Sequence, residues 1–125
     1  MVEFINTEKA PAAIGPYSQG TLVGKIAYIS GQLPINMETG ELEADPAKAA
    51  KASLSNVLEI VKAAGGDIKS IAKVNVFVKD INDFNAINEV YADFFGDHKP
   101  ARALVQVASL PKDATLEIEA IAEVE

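Results

Sequence analysis

Cysteine is absent from the 125 residues, so disulfides, thiolate nucleophiles and sulfur-ligated metal sites are excluded together. The same absence suits a reducing cytoplasm, the location expected for the chain. Basic charge is scarce: 11 Lys and Arg stand against 18 Asp and Glu, a net charge of −7, so the average field repels phosphate backbones and anionic lipid. Neither nucleic acid nor membrane is an expected partner. The apolar runs are too short to span a bilayer, and "MVEFINTEKA" puts acids where a signal peptide needs a basic region. Histidine occurs once, at His98 between Asp97 and Lys99, where it reads as solvated. With no second histidine it offers no metal site and, lacking an evident nucleophile, no catalytic triad. No glycine-rich phosphate loop opens a helix.

What is present fits one domain over residues 1–125, with 49% hydrophobic residues and no linker, repeat or low-complexity segment. "DPAKAAKASLSNVLEIVKAAGGD" predicts an amphipathic helix capped by Asp45, with Pro46 at its first position and a stop at Gly65-Gly66. Ala50, Leu54, Val57, Leu58 and Val61 form its apolar face. "NDFNAINEVYADFFGD" predicts a second helix from Asn82 or Asp83 to Gly96, with Phe84, Ile87, Tyr91, Phe94 and Phe95 as the stripe.

Between the helices, "IAKVNVFVKD" alternates, placing Ala72, Val74, Val76 and Val78 on one side and Lys73, Asn75, Phe77 and Lys79 on the other. Two strands turning near Gly24-Lys25 are expected in "YSQGTLVGKIAYISGQLP", and two more in "ARALVQVASL" and "TLEIEAIAEVE", joined at Pro111-Lys112-Asp113. Alternation puts Ala103, Val105 and Val107 with Leu116, Ile118, Ala120, Ala122 and Val124 on a face suited to helices. The opposite face then holds Arg102, Leu104, Gln106, Glu117, Glu119, Ile121 and Glu123. That mixture is too apolar for a plain solvent face, so partial burial by other copies of the chain is expected.

Arg102 is the strongest single candidate for chemistry. Pro100-Ala101 fixes its approach, its strand neighbours are small or aliphatic, and its planar fork suits a carboxylate. Glu117 alone reads as one acid of a solvated edge, Asn88 as an amide interrupting an apolar stripe, and Tyr17, Ser30 and Gly31 as turn punctuation. Residue physics therefore allows a carboxylate-binding cleft and leaves the reaction open.

"APAAIGPYSQG", "ISGQLPIN", "VFVKDINDFNAIN" and "PARALVQVASLPKDATLEIEAIA" together closely resemble the RidA/YjgF family of enamine/imine deaminases over nearly the whole chain. The resemblance implies an α+β fold, a chorismate-mutase-like mixed β-sheet with two helices on one face. It further implies a homotrimer with a central barrel-like core and ligand clefts between subunits. The implied reaction is hydrolysis of 2-imino acids such as 2-iminobutanoate and 2-iminopropanoate, products of pyridoxal-phosphate dehydratases, to 2-oxo acids and ammonia, with no cofactor and no metal. Carried onto this sequence, the resemblance makes Arg102 the holder of the substrate carboxylate and Glu117 the residue assigned to the attacking water. By the same resemblance, Tyr17, Ser30, Gly31, Asn88 and Leu104 are expected to line the same cleft. Leu104 stands where many members carry cysteine, its backbone N–H being the group used, and Lys99 stands in a shortened loop where an aromatic residue is common. The alternative expectation is a non-catalytic 2-oxo acid binding or chaperone-like module of the same fold. RNA cleavage, also linked to relatives, is disfavoured by the acidic charge.

Overall fold

Asp45 opens the first helix, α1 (Pro46–Ala63), its carboxylate accepting the Lys48 N–H at 3.1 Å, and the chain leaves the helix through Ala64 and Gly65. The second helix, α2 (Phe84–Phe95), follows a single 3-10 turn at Ile81–Asp83. It stops at Gly96, whose φ of 61° an L side chain rarely adopts. Ala50, Leu54, Val57 and Val61 are buried along α1 as expected, joined by Ile60, while Leu58 is only half-buried.

The computed structural model describes residues 1–125 and sets six strands in one mixed sheet. These are β1 (Glu3–Ile5), β2 (Gly20–Val23), β3 (Ile26–Gln32), β4 (Ile71–Val78), β5 (Ala101–Gln106) and β6 (Leu116–Glu123), in the spatial order β1-β2-β3-β6-β4-β5. Only β4 and β5 run parallel. Their crossover is α2, as a parallel pair requires. The central strand β6 buries Leu116, Ile118, Ala120 and Ala122 in strict alternation, and these join Val74, Val76, Val78, Leu54, Ile60 and Ile87 in one core between the sheet and both helices.

Three expectations about strands are corrected. In β4 a register shift between Ile71 and Lys73 breaks the two-residue period, so Ile71 is buried and Ala72 is exposed. In β5 the parity is reversed: Arg102, Leu104 and Gln106 lie beside the buried Val74, Val76 and Val78 and so share the helix side. Ala103 and Val105 join the open side instead, where Val105 is 46% exposed. β5 is an edge strand whose helix side half-buries only Arg102 and Leu104 and leaves Gln106 exposed, while its other side is exposed throughout, so hydrophobicity does not tell its faces apart. The short β1, not expected from sequence, pairs with β2 through only three residues.

The sheet face away from the helices carries no cover within one chain. Phe4, Val23, Tyr28 and Val105 are exposed on it, beside half-buried Phe77 and Ile121 and the acids Glu117, Glu119 and Glu123.

Candidate active site

Arg102 leaves β5 on the helix side and meets α2. Its Nη1 donates to Asn88 Oδ1 at 2.8 Å, and its guanidinium carbon lies 4.7 Å from the centroid of the Tyr91 ring and 5.7 Å from that of Phe84. Burial raises the Tyr91 phenol above its usual pKa, and the positive charge of Arg102 partly offsets this. A cleft of about 300 Å³ opens here, lined by Asn88, Tyr91, His98, Lys99, Pro100 and Arg102 among others, with no acidic side chain. One donor of the fork is thus committed to Asn88, and the guanidinium lines a cleft that can take an anion on the others.

His98 is not solvated as the sequence suggested. It is half-buried, and its Nε2 lies 2.7 Å from the Ile71 carbonyl oxygen, tying the loop before β5 to the start of β4. Leu104, two residues after Arg102, packs its side chain against the core. Val107 N–H bonds to Val78 O at 3.0 Å, so by strand alternation the backbone N–H of Leu104 points to the open edge of the sheet.

The other candidates gather at the far end of β3. Ser30 donates through Oγ to Ser18 O at 2.6 Å and through its backbone to Gln19 O at 2.9 Å, holding the 11–19 loop beside the strand. Gln19 is buried and completes the anchorage: Nε2 donates to Thr7 O and Pro11 O at 3.0 and 2.8 Å, while Oε1 accepts from Thr7 N–H at 2.7 Å. Tyr17 is 55% exposed on this loop. With Ile14, Gly31, Leu33, Ile35 and Pro111 it lines a second, mostly apolar cleft of about 380 Å³. Behind it, two buried polar groups of α1 fix the chain after Gly31, Ser53 Oγ donating to Gln32 O and Asn56 Nδ2 to Ile35 O, each at 2.9 Å.

Glu117 packs directly on Gly31. A Cβ at residue 31 would stand 2.8 Å from Glu117 Cδ and 3.0 Å from Oε2, a distance only a shifted carboxylate relieves. Burial first, and the negative charge of Glu119 second, push the Glu117 carboxyl above the ordinary carboxylate range. Glu119 itself accepts from Asn75 Nδ2 at 3.0 Å. A carboxylate easily protonated, half-buried and set by a glycine is equipped to exchange protons with a water molecule. Gly31→Ala is expected to leave a folded protein, because the contact falls on the end of a flexible side chain. By moving the carboxylate it should lower turnover about ten- to a hundredfold. Unchanged kcat with unchanged thermal stability would refute this role for Gly31.

The candidates therefore form two groups, Arg102 with Asn88, and Tyr17, Ser30 and Gly31 with Glu117. Arg102 pairs with Val74 on the helix side, whereas Glu117 pairs with Phe77 on the open side. β4 separates their strands, putting β5 and β6 about 10 Å apart. No three His, Asp or Glu side chains cluster as metal ligands would, and no helix is long and apolar enough to cross a membrane. The contact of Tyr91 with Arg102 and the burial of Gln19 are not legible in the sequence. Tyr91 looks like core in an apolar stripe, and nothing local marks Gln19 as a buried hub.

The family described as endoribonuclease L-PSP matches residues 7–124. The 2-iminobutanoate/2-iminopropanoate deaminase of Escherichia coli K12 is 54% identical over 125 residues, covering 98% of each chain. Among solved structures, the E. coli YjgF gene product superposes with a TM-score of 0.94 at 52% identity, over 98% of this chain and 99% of that one. E. coli TdcF with bound serine gives 0.93 at 51% identity, with the same coverage.

Proposed function

We propose, from the premise that this chain belongs to the RidA/YjgF family, that it is a 2-iminobutanoate/2-iminopropanoate deaminase. It hydrolyses reactive 2-imino acids and their enamine tautomers to 2-oxo acids and ammonia. The observation that carries the reading to particular atoms is the open guanidinium fork of Arg102, set in a cleft without a competing acid. That fork receives the substrate carboxylate and so orients the adjacent C=N carbon. Water bonds to that carbon, the C=N electron pair moves to nitrogen, and Glu117 takes a proton from the water and returns one to the nitrogen. The carbinolamine then gives up its hydroxyl proton, relayed through Glu117 to the amino nitrogen, and as the C=O bond forms the C–N bond breaks with its electron pair on nitrogen, leaving a 2-oxo acid and ammonia. Tyr17, Ser30 and Gly31 shape the Glu117 side, Asn88 holds Arg102, and the edge-facing N–H of Leu104 is free to bind a substrate oxygen. TdcF, 51% identical, is a protein with bound serine, a small molecule that likewise carries a carboxylate beside a nitrogen-bearing carbon.

Two observations support a homotrimer in which each site is completed by two subunits. Arg102 and Glu117 lie on opposite faces of the sheet in one chain, too far apart to share a small substrate. The uncovered face also exposes Phe4, Tyr28, Val23 and Val105, the kind of surface that other copies bury around a central barrel-like core. The cysteine-free composition suits a cytoplasmic site of action. RNA cleavage is not the reading adopted, because a net charge of −7 repels a phosphate chain.

The decisive assay generates 2-iminobutanoate with a pyridoxal-phosphate dehydratase and follows 2-oxobutanoate formation with and without the protein. Acceleration is expected. No acceleration, with 2-oxobutanoate still binding, would instead identify a ligand-binding module.

A further inference from the structure

We infer that Tyr91 is a positioning residue of this site, its ring holding the Arg102 guanidinium in the plane from which the fork meets the substrate carboxylate. The inference rests on the deaminase reading and on Arg102 as the carboxylate holder. Phe84, Asn88 and Tyr91 follow at spacings of four and three, so one face of α2 presents a ring, an amide oxygen and a second ring to one guanidinium. The amide oxygen fixes one end of the group through Nη1 at 2.8 Å, while the Tyr91 ring lies 4.7 Å from its carbon. An arginine side chain without such support samples many rotamers, and each binding event must then pay for its ordering.

Two features make Tyr91, rather than Phe84, the main support. Tyr91 is the nearer ring, and it is 8% exposed whereas Phe84 is 37% exposed, so the attraction to Tyr91 is less weakened by water. Tyr91 also packs at 4.7 Å between ring centroids on the buried Phe95, which holds it in place. Its hydroxyl, by contrast, is buried without a hydrogen-bond partner. The geometry therefore assigns the supporting role to the ring and none to the hydroxyl, and the two can be separated by substitution.

Kinetics on 2-iminobutanoate and 2-oxobutanoate binding would be compared in the wild type, Tyr91→Phe, Tyr91→Leu and Phe84→Leu. Tyr91→Leu should raise KM and the 2-oxobutanoate Kd about tenfold with a smaller change in kcat, and Phe84→Leu should do the same more weakly. Tyr91→Phe should recover most of that loss and melt at an equal or higher temperature, since it removes an unpaired buried hydroxyl. In the wild type, Arg102 side-chain proton resonances should be shifted upfield by the ring, a readout available even if Tyr91→Leu does not fold. A folded Tyr91→Leu variant with wild-type KM and Kd would overturn the inference. So would a loss in Tyr91→Phe equal to that in Tyr91→Leu, or unshifted Arg102 resonances. An inactive wild type would instead remove the deaminase reading, leaving the Kd and resonance comparisons to judge Tyr91.

Discussion

Arg102→Ala is expected to remain folded and to turn over 2-iminobutanoate more than a hundredfold more slowly. The side chain is half-buried at an edge strand, held by Asn88 and set over the Tyr91 ring, and the salt bridges of the chain, Lys62–Glu59 and Lys79–Asp113, do not involve it. Fold stability should therefore change little. The charge-assisted, two-pronged contact to a carboxylate is lost outright, at about 3 kcal/mol of transition-state stabilisation. Arg102→Lys should rescue poorly, because an ammonium neither spans both carboxylate oxygens nor lies flat on a ring. Steady-state kinetics beside a melting curve tests this, and a folded Arg102→Ala enzyme with near-normal rates would end the assignment.

Glu117→Gln should lower kcat by about a hundredfold or more while leaving 2-oxobutanoate affinity at Arg102 largely intact. Glu119 is the internal control, since it lies two residues along the same strand on the same sheet face, accepts a hydrogen bond from Asn75, and is not placed at the water. Glu119→Gln should change the neutral-pH rate little. The base must be ionised to work, so the rate falls as pH drops through the Glu117 pKa, which burial and Glu119 raise. On acidification, activity should thus begin to fall at a pH still above the ordinary carboxylate range, and Glu119→Gln should move that acid limb to lower pH. The linked effect on stability has the opposite sense. A raised folded pKa means the native state holds the proton more tightly than the unfolded chain, so the stability contributed by the protonated carboxyl is lost as pH rises through that value. At neutral pH Glu117→Gln should accordingly melt no lower than the wild type. Equal losses from both substitutions would mean a general charge effect, and full activity in Glu117→Gln would mean that the imine needs only Arg102 and ambient water.

How far the sequence could be read depended on whether burial and period agreed. Both ends of α1 were visible because Asp45, Pro46 and Gly65-Gly66 act locally, and β6 because one of its faces is wholly buried, so period and burial coincide from Leu116 to Ala122. β5 failed as an edge strand, where its helix-side residues are only partly covered, and β4 failed at Ala72 because a bulge leaves no local mark. Arg102 stood out as a charge among apolar residues. Glu117 did not, since neighbouring acids disguise it and its setting depends on Gly31, which is 86 positions away in the chain. Gln19 and Tyr91 owe their importance to partners that only the folded chain supplies.

In the proposed trimer, the placement of Arg102 and Glu117 on opposite sides of the sheet would let two dead enzymes repair each other. In a ring of three, suppose each cleft draws its arginine from one subunit and its glutamate from the next. Every trimer mixing Arg102→Ala and Glu117→Gln chains then contains one cleft with both side chains intact. Unfolded together and refolded at equal amounts, two separately inactive variants would regain about a quarter of wild-type activity. Mixtures that stay inactive after exchange would mean that each chain carries its own complete site. Mixed with normal chains, by contrast, either variant alone would lower activity only in proportion to its share, because each cleft draws that side chain from a single subunit.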